Sequence, residues 1–123
     1  SPLEILKKAI EAGDISIWNN WKSANHIRYP DLSGADLSGA ELSGANLGGA
    51  KLIRAKLTGA NLSRANIRVA DLSGAELERA NLTGAWLNST ELVGADFTGA
   101  DLTGANLSGA NLDGAKGLLV NRT

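Results

Sequence analysis

Large apolar residues recur at every fifth position through most of this chain. Between residues 30 and 114 the sequence divides, without insertion, into 85 residues that form seventeen repeats of five. A repeat usually carries Ala, then Asp, Asn, Glu or Lys, then Leu, then Ser or Thr, then Gly. The apolar third positions are Leu32, Leu37, Leu42, Leu47, Leu52, Leu57, Leu62, Ile67, Leu72, Leu77, Leu82, Leu87, Leu92, Phe97, Leu102, Leu107 and Leu112. This pattern predicts one local structure that is repeated along the chain.

A five-residue period fits neither an α-helix, with its period of 3.6, nor a β-strand, with its period of 2. It fits a chain that turns a corner once per repeat and returns every Leu to the same interior, which predicts a β solenoid. Four corners per coil give 20 residues per coil, so stacked coils about 4.8 Å apart make residues 20 apart neighbours. Opposite charges meet at that spacing, as at Asp31, Lys51 and Asp71. Any coil length near 20 also brings these charges together, so the spacing supports four repeats per coil without proving it.

Two kinds of departure from the repeat concern the fold. The corner Gly is replaced at Arg54, Arg64, Val69, Arg79 and Ser89. Because a β-branched Val resists positive φ, we expect that the corner does not require a left-handed backbone at every repeat. Thr90 replaces an inward Ala, and a buried hydroxyl at this position is expected to bond to the backbone.

Residues 1–29 follow helical periodicity instead of the five-residue period. The Ser1–Glu4 segment predicts a capping box with Pro in the first turn, and Gly13 predicts the end of that helix. Asp14 predicts the N-cap of a second short helix. The second helix carries Ile17, Trp18 and Trp21. Since an open solenoid end exposes leucines and unpaired strand edges, we interpret the helical pair as a hydrophobic cap, with a docking site for another protein as the alternative.

The C-terminal end has no comparable cap in the sequence. Gly117 stands where the repeat predicts an inward Leu, and the apolar run 118–120 follows out of register. Residues 117–123 are too few to cover a whole coil end. We therefore expect either that the C-terminal coil packs end to end with another chain, forming a homodimer, or that the natural protein continues.

The repeat resembles the motif of the pentapeptide-repeat family, which is a small residue, Asp or Asn, Leu or Phe, Ser, Thr or Arg, and Gly. The resemblance covers 85 of 123 residues. It implies a right-handed quadrilateral β-helix of about four coils, with the small and large apolar residues pointing inward. The implied organisation is an N-terminal helical cap over 1–29, a β-helix over 30–116 and a C-terminal tail over 117–123. The Trp18–Lys22 run, followed by Pro30–Leu32, is also similar to the N-terminal segment of some cyanobacterial pentapeptide-repeat proteins.

Residue chemistry gives no support for catalysis. The chain has no cysteine, and His26 is its single histidine. A catalytic triad or a histidine metal site needs partners, and the polar residues near His26 are explained by caps and turns. We therefore predict a protein that is not an enzyme, with no catalytic residue, no cofactor and no metal. The net charge of −1 gives no general case for binding nucleic acid, and no apolar run is long enough to span a membrane.

The remaining departures are outward positions, where a partner could bind. Trp86 lies in a column of residues, 20 apart, that is otherwise Asn46, Asn66 and Asn106. An exposed Trp with basic neighbours is a strong candidate for a protein contact, although single exposed apolar residues are common. The predicted partner-binding residues are Trp86, Val69, Arg64, Arg68, Ile53 and Val93.

The leading functional hypothesis is a non-enzymatic scaffold that presents a polar rod to another protein. The alternative comes from the family resemblance: some pentapeptide-repeat proteins imitate duplex DNA and act on DNA gyrase. The basic residues between 51 and 70 interrupt any acidic stripe, which disfavours that role. Neither hypothesis includes direct binding of nucleic acid. A cytoplasmic location is slightly favoured, and a lumenal or exported one follows if a targeting peptide has been removed before Ser1.

Overall fold

The computed structural model describes residues 1–118 and begins with two helices. The first, α1, spans Pro2–Ala12, and the second, α2, spans Ser16–Ala24. The predicted capping box is confirmed, because the amide of Glu4 donates to the Ser1 side chain and the Glu4 side chain bonds back to the cap backbone. The predicted stop is confirmed as well, since Gly13 ends α1 with a left-handed φ of 63°.

The start of α2 lies one residue beyond the predicted position. Its N-cap is Ile15, so the prediction that Asp14 is the cap is wrong. The Asp14 carboxylate nevertheless accepts hydrogen bonds from the amide of Ser16 at 3.0 Å and from its hydroxyl at 2.5 Å. Asp14 thus satisfies a first-turn amide of α2 from one position further back.

The repeats are joined by single-residue parallel bridges between their polar second positions. Every bridge joins residues 20 apart, from Asp31 with Lys51 to Asp96 with Lys116. The predicted spacing of 20 residues is therefore confirmed. Each bridge has two backbone hydrogen bonds: the amide of Leu32 donates to the Lys51 carbonyl at 2.7 Å, and the amide of Lys51 donates to the Pro30 carbonyl at 2.9 Å. Residues about one coil apart thus pair as neighbouring strands do.

The core is a stack of large apolar residues with a small residue beside each one. The third positions are buried without interruption from Leu32 to Phe97, and the first positions are almost all Ala in this range. Burying one Leu side chain contributes roughly 2 kcal/mol. Thr90 is the polar exception among the first positions, and its hydroxyl donates to the Ile67 carbonyl at 3.0 Å, which confirms the expected bond to the backbone.

All five substituted corners have a left-handed backbone, so the prediction that corners could avoid it is wrong. Their φ values lie between 56° at Arg64 and 62° at Val69. At Val69 two hydrogen bonds fix the corner: its amide donates to the Asn88 carbonyl at 3.0 Å, and the Ala70 amide donates to the Ile67 carbonyl at 3.2 Å. Those bonds between and within coils outweigh the preference of the side chain, which costs roughly 1–2 kcal/mol.

Side chains of α2 complete the backbone pairing at the N-terminal edge of the repeats. In the next coil the Asn66 amide donates to the Ala45 carbonyl, and the Asn66 carbonyl accepts from the Leu47 amide. Asn46 has the same two bonds to α2 instead. Its amide donates to Asn19 Oδ1 and its carbonyl accepts from Trp18 Nε1, both at 2.7 Å. α2 thus occupies part of the place that a preceding coil would take.

The C-terminal coil is less well covered in the part of the chain that the structure describes. Leu102, Leu107 and Leu112 are only partly buried, and Leu118 packs against the same core. Gly117 has a φ of 75°, and a Cβ there would lie 2.4 Å from the Thr98 amide nitrogen. The predicted tail over 117–123 falls mostly outside the described residues.

We expect Gly49→Ala to destabilise the protein by about 2 kcal/mol, because two costs combine at this corner. Gly49 has a φ of 71°, and a Cβ there would lie 2.3 Å from the Arg28 carbonyl oxygen. Gly34→Ala is the matched control, since Gly34 has a φ of 72° with nothing within 4 Å of the added Cβ, and it should cost about 1 kcal/mol or less. Chemical denaturation measures both losses. Equal losses would show that the backbone at Arg28, which passes close to Gly49, can shift without a cost in free energy.

Candidate functional site

The four predicted apolar positions are exposed, but they belong to two different faces. We use the term tryptophan face for the outward residues of the repeats 45–49, 65–69, 85–89 and 105–109, which the bridges stack on one another. Trp86 is 44% exposed and Val69 is 64% exposed, and both lie on this face. Ile53 and Val93 are exposed on the adjoining face. The repeats of that face stack through Lys51, Asp71 and Glu91, so one coil lies between Ile53 and Val93. The six predicted residues therefore do not form one site.

Arg68 and Trp86 are in direct contact. The Arg68 guanidinium carbon lies 4.1 Å from the centroid of the Trp86 ring, in the geometry of a cation–π interaction. The backbone amide of Arg68 donates to Asn66 Oδ1 at 3.1 Å, which fixes the base of the arginine. Arg64 lies elsewhere, since its Cγ is 3.4 Å from the Cβ position of Gly84 at the neighbouring corner. The predicted basic neighbourhood of Trp86 is thus formed by Arg68.

The tryptophan face carries no carboxylate. Its outward residues are Asn46, Gly48, Gly49, Asn66, Arg68, Val69, Trp86, Asn88, Ser89, Asn106, Ser108 and Gly109. Arg68 is thus its one charged residue, whereas the other three faces carry Asp and Glu in their bridged columns. Two of its asparagines form a ladder, with Asn66 Nδ2 donating to Asn46 Oδ1 at 3.3 Å. The face is therefore the part of the repeat surface most suited to an anionic or aromatic partner.

The cap adds residues to this face that the sequence interpretation missed. A cleft of about 400 Å³ lies between the cap and the repeats. Its lining residues are Lys22, Arg28, Tyr29, Asn46, Gly48, Gly49, Asn66, Arg68 and Val69. The sequence does contain a signal for one of them: Lys22 follows Trp18 by four residues, so it shares the buried face of α2. Tyr29 is 65% exposed and had no role in the predicted cap.

Lys22 is the one charged side chain among the described residues that is buried, with 9% of its surface exposed. Burial lowers the pKa of its ammonium from the usual value, because the charged form loses hydration.

Aspartates of the other faces serve the turns. The side chains of Asp31, Asp36, Asp96 and Asp101 each accept a hydrogen bond from the amide two residues later. Hydrogen bonds from the side chain and the amide of the Ser or Thr at that position lower the pKa of each carboxyl, with the amide as the larger contribution at Asp31 and the side chain at the other three. The stacked Lys51 lowers the pKa of Asp31 only as a smaller contribution. Within residues 1–118 the ion pair closer than 4.0 Å joins the Ser1 amine to Glu4.

Within 1–118 no group of three or more His, Asp or Glu side chains is placed to hold a metal ion. Neither α1 nor α2 has the length and the apolar character that a membrane-crossing helix needs. His26 lines a cleft whose other lining residues include Lys22 and Arg28, with no carboxylate to pair with its ring.

Comparison with known proteins identifies the repeats and two similar structures. The family model for pentapeptide repeats matches residues 31–68, 60–85 and 80–116, in eight copies. HetL, a pentapeptide repeat protein involved in heterocyst differentiation regulation from the cyanobacterium Nostoc sp. strain PCC 7120, is 48% identical over 69% of this chain and 39% of its own, with a TM-score of 0.67. Rfr23 from the cyanobacterium Cyanothece 51142 is 40% identical over 65% of this chain and 54% of its own, with a TM-score of 0.65.

The matched region is only part of those two proteins, since this chain spans 39% of HetL and 54% of Rfr23. A comparison with curated proteins gave no match. The matched family model nevertheless extends over more than half of the sequence, from residue 31 to residue 116. Together with the bridges between residues 20 apart, this match shows that the chain belongs to the pentapeptide-repeat family.

Proposed function

We propose that this chain is a non-enzymatic scaffold whose protein partner binds the tryptophan face. Pentapeptide-repeat proteins are non-enzymatic repeat modules, so a function has to lie in the surface that this member presents. The observation that carries the proposal is the contact between Arg68 and the exposed ring of Trp86 on a face without carboxylates. Trp and Arg are enriched among the residues that dominate the energy of protein interfaces.

The proposal includes a finer description of the architecture. The repeats wind as a right-handed quadrilateral β-helix of about four coils, with 1–29 as the cap and 30–116 as the rod. The uniform 20-residue bridges support four repeats per coil, and the likeness to HetL and Rfr23 supports the same shape. Such a rod has flat sides. A column of stacked residues on one side, such as Asn46, Asn66 and Trp86, can contact the same partner.

An end-to-end homodimer through the C-terminal coil is a second element of the proposal. Leu102, Leu107 and Leu112 are partly exposed among the described residues, and burying them against a second copy would contribute favourable free energy. Light scattering at several protein concentrations distinguishes the two states by mass. A monomeric mass throughout would remove the homodimer from the proposal.

DNA mimicry and binding of gyrase are not favoured by this surface. A protein that imitates DNA needs continuous negative charge, whereas Lys51 and Lys56 interrupt two acidic columns and the tryptophan face has no carboxylate. The chain is expected to leave DNA supercoiling by gyrase unchanged at micromolar concentration. Inhibition in that assay would favour the alternative.

We expect Trp86→Ala to abolish partner capture while leaving the melting temperature nearly unchanged, because the ring is exposed outside the core. Val93→Ala is the matched control, since Val93 is an exposed apolar residue on the adjoining face. The wild type, Trp86→Ala and Val93→Ala are each used to capture proteins from an extract of the source cell, and mass spectrometry quantifies what each one captures. Direct binding is then measured between the purified chain and the purified partner.

The proposal predicts a partner that both the wild type and Val93→Ala retain and that Trp86→Ala loses. Equal capture by all three forms would contradict a partner site at Trp86. A large fall in melting temperature for Trp86→Ala would instead make the ring structural, and it would remove the argument for this face.

A further inference from the structure

We infer that the cleft between α2 and the tryptophan face binds an acidic segment of a protein partner, with Lys22, Arg28 and Arg68 pairing its carboxylates. The inference rests on the proposed function as a protein-interaction module, and it adds the chemistry of the partner and the place where it binds. It concerns the junction of cap and repeats, which extends the tryptophan face beyond the residues that the sequence indicated.

Two adjoining clefts form this junction. The first has a volume of about 410 Å³ and is lined by Lys22, Ser23, His26, Ile27, Arg28 and Asn46. The second, of about 400 Å³, shares Lys22, Arg28 and Asn46 with the first and continues to Arg68 and Val69. Neither cleft is lined by a carboxylate. We call the two together the basic cleft.

Other clefts of this molecule differ in charge, so the basic cleft is not simply typical of its surface. The cleft beside α1 contains Glu11 and Asp36 as well as Lys7. The cleft at Gly13 contains Glu41. The whole chain has a net charge of −1, with twelve basic and thirteen acidic residues. A concentration of cations without acids in one place therefore gives a local field of sign opposite to that of the molecule.

Lys22 is the strongest single argument for an anionic occupant. It is 91% buried, and within residues 1–118 it has no ion pair and its ammonium donates no side-chain hydrogen bond. The buried part is mainly the aliphatic stem, since the buried side-chain atoms without a hydrogen-bond partner do not include Lys22 Nζ, so the ammonium still reaches solvent. Lys22 lines both parts of the basic cleft, so a carboxylate bound there would pair with an ammonium that has already lost part of its hydration.

Arg68 is held in a position from which it can bind a carboxylate. Its guanidinium carbon lies 4.1 Å from the centroid of the Trp86 ring, and this contact restricts the positions that the side chain can take. Within the described residues these N–H groups have no ion pair. A planar guanidinium binds a carboxylate through two parallel hydrogen bonds, which makes the interaction both stronger and more specific.

Apolar groups beside the cations favour a peptide over a small free anion. Tyr29 and Val69 line the basic cleft and are largely exposed, and Trp86 lies beyond Arg68. Asn46 and Trp86 are two bridge steps apart, which is about 10 Å at strand spacing, or the length of about three extended residues.

The test uses a fluorescein-labelled peptide of ten residues that contains glutamate and leucine, and a control peptide with glutamine in place of each glutamate. Fluorescence anisotropy measures binding to the full chain at low and high salt. Lys22→Met and Arg68→Gln remove one cation each from the basic cleft. Arg79→Gln is the matched control, because it removes one cation from a corner on another face.

We expect the acidic peptide to bind more weakly at high salt and the glutamine peptide not to bind. Lys22→Met should weaken binding about tenfold and Arg68→Gln about threefold to fivefold, with Arg79→Gln unchanged. Lys22→Met should keep or raise the melting temperature, because it replaces a partly desolvated, unpaired ammonium by an apolar group on a side chain of similar volume. Arg68→Gln provides a second measure at an exposed position if Lys22→Met fails to fold.

Several outcomes would overturn the inference. One is that the acidic peptide does not bind at low salt. Another is that Arg79→Gln loses as much binding as Lys22→Met and Arg68→Gln, which would indicate that the peptide is attracted by the overall charge of the molecule. Binding of phosphatidylserine vesicles without binding of the peptide would assign the basic cleft to a lipid surface. If the peptide fails while Trp86→Ala still abolishes partner capture, the proposed scaffold function stands and only the acidic segment is wrong.

Discussion

Trp18→Ala should lower the free energy of unfolding by about 4 kcal/mol, the largest loss that we expect from a single side chain of the cap. Trp18 is fully buried, and its ring centroid lies 5.3 Å from that of Trp21. Its indole Nε1 also donates to the Asn46 carbonyl at 2.7 Å. Truncation therefore leaves a cavity under α2 and removes a bond at the edge of the first coil. Urea denaturation followed by circular dichroism measures the loss.

Trp18→Phe separates the two contributions. Phenylalanine keeps most of the buried ring but cannot donate to Asn46, so we expect a loss of about 1–2 kcal/mol from the unpaired carbonyl and the smaller ring. A loss below 1 kcal/mol for Trp18→Ala would show that α2 rests on the repeats without stabilising them. In that case leaving the edge of the first coil unpaired would change the free energy of unfolding only slightly.

The effect is expected to be large because, within residues 1–118, α2 and not another coil pairs with the edge of the first coil at Asn46. An unpaired edge invites pairing with another chain. Asn19 contributes to the same edge, since its Oδ1 accepts from the Asn46 amide and its Nδ2 donates to the Gly44 carbonyl at 3.1 Å. Two neighbouring side chains of α2 thus replace the backbone of a missing coil along one face.

The parts of the fold that follow from the five-residue period were predictable from the sequence. The spacing of 20 residues was supported by the opposite charges that recur at that interval, as at Asp31 and Lys51, but they did not prove it. The inward Leu and Ala positions follow from the need to bury one apolar residue per repeat. Thr90 was predictable for the same reason, because a hydroxyl among inward alanines has only the backbone to bond. Each of these conclusions depends on a pattern repeated along the chain.

The corners and the basic cleft could not be predicted in the same way. Val69 adopts a positive φ because hydrogen bonds from its own turn and from the next coil fix the corner, and no local preference of valine indicates this. Lys22, Arg28 and Tyr29 reach the tryptophan face because α2 and the segment after it lie against the first coil. That placement depends on tertiary packing, for which residues 1–29 contain no repeated pattern.

The contact between Arg68 and Trp86 was predictable only in part. The 20-residue spacing places Trp86 one coil after Asn66, two residues from Arg68, so their proximity was predictable. The choice between Arg64 and Arg68 was not, because it depends on the direction in which each side chain leaves the backbone. Arg64 occupies the corner of the preceding repeat, where its Cγ lies 3.4 Å from the Cβ position of Gly84.

Leu72→Ala should destabilise the protein by about 3 kcal/mol, because Leu72 is buried in the middle of the stack, with buried leucines one coil away on each side. These neighbours are Leu52 and Leu92, in the column that the bridges at Lys51, Asp71 and Glu91 define. Close packing on both sides prevents collapse around the cavity, so the cost includes the lost contacts as well as the lost burial.

Leu112→Ala is the matched control for this prediction, since Leu112 lies in the same column one coil beyond Leu92 and is only partly buried. We expect it to cost about 1 kcal/mol, because fewer contacts are lost and the end of the stack can relax around the smaller side chain. Denaturant titrations of both variants and of the wild type give the two losses in the free energy of unfolding. Equal losses would show that residue 112 is as well covered in solution as residue 72, as it would be if the C-terminal coil packed against a second copy.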